Sequence, residues 1–193
     1  SYRNFILGVQ FMFKQSFFVI FFLLLTIACS EDTDETKNSP KVDLLKAVAN
    51  ANIDIIKEHI ALGTDINEVF VETKDWNGAG ALHIAVIGSF LDDNAESIMK
   101  YKTVVELLLS GGANIDIKAR NPDEATPLAW ATYFGKLEMV EFLVARDANI
   151  NVSDKNGYTP LDAALASPFM GSELNRSAII SFLRNKGAKT KDD

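Results

Sequence analysis

Few side chains in this 193-residue chain can do chemistry: one cysteine, Cys29, two histidines, His59 and His83, and adjacent acids such as Asp92-Asp93 and Asp123-Glu124. A lone cysteine makes no intramolecular disulfide and no cysteine-based zinc site. The two histidines have no H-x-x-x-H or H-E-x-x-H spacing, and the chain has no G-x-S-x-G elbow, phosphate-binding glycine loop or Cys/His pair. Acid pairs can bind Ca²⁺ or act as paired carboxylates, but in loops they are far more often solvated. An enzyme would need Asp92, Asp93, Glu96 and Glu173 to converge. No catalytic residue, cofactor, metal or small-molecule substrate is therefore expected.

Charge points the same way. The chain carries 19 Lys and Arg against 26 Asp and Glu, a net −7, and 48% of it is apolar. Residues 1–28 contain Arg3 and Lys14 but no acid, so the remainder stands at −9. Phosphate-backbone binding needs clustered cations, and nucleic acid is not expected as a partner.

The run Ser16–Ala28, SFFVIFFLLLTIA, follows Lys14 and ends directly before Cys29. Its length suits a signal peptide, because a helix spanning the membrane needs about 20 apolar residues. Met12 is the natural start, which makes residues 1–11 an expected non-native extension. The stretch Thr26-Ile27-Ala28-Cys29 resembles the lipobox of bacterial lipoproteins, although that family usually has an aliphatic residue where Thr26 stands. The resemblance implies cleavage after Ala28 and lipidation of Cys29. It also implies residence in the cell envelope facing the periplasm or exterior, with Ser30 favouring the outer over the inner membrane. The alternatives are an ordinary cleavage site with an incidental thiol, or an uncleaved anchor over residues 5–28. Residues 29–40 lack large apolar side chains after the cysteine and read as a flexible tether.

The remainder is repetitive. Four amphipathic runs end alike, at ALGTDINEV (61–69), SGGANIDIK (110–118), ARDANINVS (145–153) and NKGAKTKDD (185–193). Three segments also open alike: GALHIAV (80–86), TPLAWAT (126–132) and TPLDAAL (159–165), and Thr126 lies 33 residues before Thr159. In LEMVEFLV, Leu137, Val140, Leu143 and Val144 share one helical face. Thr126 and Thr159 stand where an N-cap belongs, with Pro127 and Pro160 at the first helical position. These motifs resemble the ankyrin repeat, with its TPLH-type opening, paired antiparallel helices and closing turn. The expected fold is an all-α repeat solenoid over residues 41–193. It has about four units, 41–74, 75–119, 120–153 and 154–193, capped by the polar KGAKTKDD. In the second unit Gly80-Ala81 replaces Thr-Pro, so that helix lacks its side-chain cap. Two insertions, at 89–102 and 167–175, fall on one edge of the stack.

The resemblance also implies where a partner sits: on the hairpin tips between repeats and the exposed end of each inner helix. By position the tips supply Trp76, Asn77, Lys155, Asn156 and Tyr158, with Arg120 the nearby cation. The inner helices supply Ile87, Tyr133 and Phe134, with the two rings expected at the surface. The alternative is that Tyr133 and Phe134 cover the core under the insertions. His83 takes the TPLH position and is expected to brace loops, His59 to be packed or solvated, and Trp130 to lie in the core. The leading function is a monomeric, non-enzymatic module that binds an envelope protein from its membrane anchor. A narrower version is an immunity-type inhibitor of an envelope-delivered basic toxin.

Overall fold

A computed structural model describes residues 40–69, 78–88 and 94–193. Cys29, the tether before Pro40, Trp76, Asn77, Asp92 and Asp93 lie outside the described residues. Within them the chain forms eight helices and no strand, as an all-α repeat solenoid. They are α1 Pro40–Ala49, α2 Ile53–Ala61, α3 Ala81–Ile87, α4 Ala95–Ser110, α5 Pro127–Tyr133, α6 Leu137–Val144, α7 Pro160–Ala166 and α8 Glu173–Asn185. The inner helices α1, α3, α5 and α7 pack in sequence. The outer helices α2, α4, α6 and α8 do the same behind them. Among the described residues no helix is long and apolar enough to cross a membrane.

The helix starts follow from side-chain chemistry. Asn52, Asn94, Thr126, Thr159 and Ser172 each accept a backbone N–H three residues on, satisfying a donor that a helix N-terminus leaves open. Pro127 and Pro160 begin α5 and α7, where a missing N–H costs nothing. Gly80 opens α3 without a side-chain cap, as expected, and the His83 ring takes over: its Nδ1 accepts the Gly80 N–H at 3.2 Å.

Each outer helix ends in a left-handed residue, Gly63 (φ 71°), Gly112 (φ 95°) and Gly187 (φ 89°), where absence of a Cβ removes the steric penalty. In the third unit Asp147 occupies this place at φ 64°.

One apolar cluster runs without a break from Leu44 in α1 to Leu183 in α8, with Ile56, Val104, Leu108, Leu128, Val140, Leu143 and Ile179 almost fully buried. Since burying such a side chain contributes about 1.5–3 kcal/mol, no unit holds its core alone and neighbours share it.

Both insertions work as pegs into the preceding unit. Tyr101 of α4 donates its hydroxyl to Ala49 O, and the Lys100 ammonium donates to Asn50 O at 3.3 Å. Tyr101 packs so closely on Gly88 that a Cβ there would overlap its ring. In the last unit the Ser167 hydroxyl donates to Tyr133 O and the Asn175 amide donates to Gly135 O at 2.8 Å. Arg176 closes the end of α7, donating to the carbonyls of Ala164 (2.9 Å) and Ser167 (2.6 Å).

Candidate partner-binding edge

The hairpins between repeats are tied rung to rung through the backbone. Arg120 N donates to Gly78 O and Lys155 N donates to Asp123 O, both at 2.8 Å. Each hairpin is also closed internally, by Ala119 N to Ala125 O (3.0 Å) and Asp154 N to Tyr158 O (2.8 Å). Asp154 Oδ1 accepts the N–H groups of Asn156 (2.7 Å) and Tyr158 (2.9 Å), and Asn121 Oδ1 accepts those of Asp123 (3.2 Å) and Glu124 (2.9 Å). Such Asx turns preorganise the tips, so a partner meets a surface whose ordering cost is already met.

His83 joins two of these hairpins. Nδ1 accepts from Gly80, so Nε2 carries the proton and donates to Ala125 O at 3.0 Å. Trp130, 3% exposed, packs edge-on against its ring at a centroid distance of 4.9 Å. Burial pushes the His83 pKa down to about 4, slightly opposed by the Ala125 carbonyl, so the imidazole is neutral at physiological pH. That is the bracing role expected of this residue, and Trp130 is core as expected. His59 is packed, with Nδ1 3.1 Å from the Thr64 hydroxyl.

Of the hairpin residues, Arg120, Lys155 and Asn156 are exposed and Tyr158 is half-buried, while Trp76 and Asn77 lie outside the described residues. The Lys191 ammonium lies 4.4 Å from the centroid of the Tyr158 ring and donates to Asn156 O at 2.8 Å. Glu124 sits 3.4 Å from Lys155, both side chains well exposed.

The inner-helix residues do not fall where they were expected. Ile87 is 4% exposed, Tyr133 4% and Phe134 6%, so these three present no contact surface. The reason is the insertion at 167–175: Phe169 folds over the end of α5, its ring 5.5 Å from Tyr133 and 5.9 Å from Phe134, while Tyr133 and Phe134 meet edge-on at 5.5 Å. Burial drives the Tyr133 hydroxyl pKa up, with the Asp123 carboxylate adding to it. Ile87 ends α3 inside the shared core.

The carboxylates required for an enzyme do not gather among the described residues. Glu96 begins α4 and Glu173 begins α8, with α6 between these helices, which at 8–10 Å per helix spacing separates them by roughly 16–20 Å. Glu173 is exposed and pairs with Arg176 at 3.4 Å. No group of three His, Cys, Asp or Glu suited to a metal occurs among the described residues. Asp123 and Asp154 are buried in adjacent hairpins. Burial first, and then the Asp154 charge, raise the Asp123 pKa to about 6. Burial raises Asp154 as well, opposed by the N–H groups of Tyr158 and Asn156 and by the charges of Lys191 and Lys118. Sequence reasoning passed over Lys191 as a member of this edge, because KGAKTKDD reads as a polar cap.

Stacked antiparallel helix pairs joined by projecting hairpins define a helical repeat protein whose exposed loops form one continuous edge. The family model described as ankyrin repeats, in three copies, matches residues 94–192. The chain belongs to the ankyrin-repeat family. It is 31% identical over 148 residues to an ankyrin repeat protein of Fowlpox virus, covering 65% of this chain and 75% of that protein. It is also 31% identical over 144 residues to an ankyrin repeat and SAM domain-containing protein of Mus musculus, and 33% identical over 91 residues to a palmitoyltransferase of Saccharomyces uvarum. These two matches cover 75% and 47% of this chain but only 14% and 12% of the relatives' own lengths.

Proposed function

We propose that the chain is a non-enzymatic protein-binding module that holds its partner on the hairpin edge, around Arg120, Lys155, Asn156 and Tyr158. Trp76 and Asn77 extend that edge by sequence position. The observation that carries this reading is the pair of rung-to-rung bonds, Arg120 N to Gly78 O and Lys155 N to Asp123 O, which fix exposed side chains on a rigid frame. Family membership supports it, since ankyrin repeats are generally protein-interaction modules. We place the module in the bacterial cell envelope, anchored by lipid at Cys29 and reaching out through the acidic tether. Support for that part is the single cysteine directly after a signal-length apolar run.

Crosslinking pull-down from the native envelope tests the binding reading. The triple substitution Arg120→Ala, Lys155→Ala, Tyr158→Ala is expected to remove the partner, and an unchanged set of captured proteins would refute it. Cys29→Ser tests the anchor: the protein is expected to leave the membrane fraction, and continued retention after signal cleavage would refute lipidation. The narrower reading, an inhibitor of a basic toxin, draws on the acidic net charge alone, and the exposed cations of the hairpin edge do not favour it.

A further inference from the structure

We infer that the partner segment seated on the hairpin edge is acidic and extended, its carboxylates meeting Arg120 and Lys155, with Lys118 and Lys191 beside them. This rests on the docking reading above and adds the chemistry of the ligand. Arg120 and Lys155 hold the same place on successive hairpins, because each donates its backbone N–H to the tip carbonyl of the hairpin before it. Their Cα atoms are therefore one repeat apart, a step set by inner-helix packing at roughly 8–10 Å. A basic residue stands at this place on both of these successive hairpins.

The acids of the same edge are mostly committed elsewhere. Asp123 and Asp154 are buried, and Asp154 spends its Oδ1 on two N–H groups of its own hairpin. On the last rung Asp193 folds back onto Thr190 N at 2.7 Å. Glu124 meets Lys155 in a solvated contact, which is worth about 0–1 kcal/mol and is readily exchanged for an incoming carboxylate. Among the described residues the Arg120 side chain has no hydrogen-bond or ion-pair partner, and Lys118 meets only the charge of the buried Asp154. Arg120 has the planar fork that suits a carboxylate. In a chain of net −7, an outward-facing cationic strip stands out against the charge of the body and selects partners by charge.

The spacing fixes the form of the segment. A polyproline II strand rises about 3.1 Å per residue with three residues per turn, so side chains at every third position share a face about 9 Å apart. That interval matches the repeat step. An acid at every third residue would meet one rung after another.

The probe is a fluorescein-labelled peptide of four Glu-Pro-Pro triplets, titrated into the purified full chain at low salt and followed by anisotropy. Saturable binding is expected. It should weaken at least tenfold in the Arg120→Gln, Lys155→Gln double variant and with rising salt, and remain unchanged in a Lys57→Gln, Lys102→Gln variant of the outer helices. A Gln-Pro-Pro peptide should not bind. Absence of binding, equal binding of the Gln peptide, or equal loss in the outer-helix variant would each overturn the acidic-ligand inference. If the envelope partner is nevertheless lost in the triple alanine variant, docking on this edge stands and only the chemistry falls. If the partner also survives that variant, the docking reading falls with it.

Discussion

Asn67 and Asn114 lie 47 residues apart and are joined as neighbours: the Asn67 side-chain carbonyl accepts the Asn114 N–H at 2.7 Å. The same bond recurs down the stack, from Asn149 N to Asp116 Oδ1 (3.0 Å) and from Lys189 N to Asn151 Oδ1 (2.9 Å). Where the residue is an amide it also donates onward, Asn67 Nδ2 to Gly112 O at 3.0 Å and Asn151 Nδ2 to Gly187 O at 3.4 Å. Asp116 has no such proton to give. This ladder links the closing turns as the apolar core links the helices, and it keeps the hairpins in register.

Asn151→Ala removes the last rung of that ladder and frees the closing segment at 187–189. Loss of two partly exposed hydrogen bonds is expected to cost about 1–2 kcal/mol, read as a lower urea midpoint, with hydrogen exchange rising first at Lys189 N.

Asp147 holds a left-handed conformation that its three counterparts give to glycine. Asp147→Gly is expected to stabilise the protein by about 0.5–1 kcal/mol, because the Cβ penalty goes while the turn stays the same. The urea midpoint should rise at constant slope.

Thr132 is fully buried in α5, and among the described residues its hydroxyl oxygen has no hydrogen-bond partner. Thr132→Val keeps the shape and removes the desolvated hydroxyl. The expected change lies between zero and a gain of about 1–2 kcal/mol, whereas a loss in thermal midpoint would show a partner for that oxygen.

His83 and Asp123 oppose one another as pH changes. The folded pKa of His83, about 4, lies below its ordinary 6.5, so its contribution is full above 6.5 and is lost as pH falls through 4. Asp123, raised from 3.8 to about 6, does the reverse: its contribution is full below 3.8 and is lost as pH rises through 6. Between pH 4 and 6 the two nearly cancel. Asp123→Asn should unmask the histidine, giving a variant whose stability falls by about 2–3 kcal/mol from pH 6.5 to 4. Relative to the parent chain, that variant should gain as pH rises through 6. Urea midpoints taken across that range check both signs.

The repeat itself was legible in the sequence because its signals are local. Pro127 and Pro160 after Thr, and the Gly-Ala and Asp-Ala closings, each report a helix end from its immediate neighbours. His83 was legible only through its place in the TPLH-type opening, because the bond by which it braces the next hairpin reaches Ala125, 42 residues on. Ile87, Tyr133 and Phe134 were misplaced because their burial depends on contacts distant in sequence. Phe169 stands 35 residues beyond Phe134, and no periodicity within α5 signals that an insertion will fold over its end. The ladder is an intermediate case. Asn67, Asp116 and Asn151 recur at one position of the closing motif, but that their side chains point along the stack is visible only in three dimensions. The exposure of Arg120 and Lys155 was legible because both are long charged side chains in a turn.

A photoreactive residue at Asn156, compared with one at Glu138 on the outer helix α6, measures most directly whether the hairpin edge is the docking surface. Both positions are exposed and neither supports the core. Illumination in the native envelope is expected to yield a discrete protein adduct from position 156 and none from position 138. An adduct from 138 with nothing from 156 would place the partner on the opposite face and contradict the account.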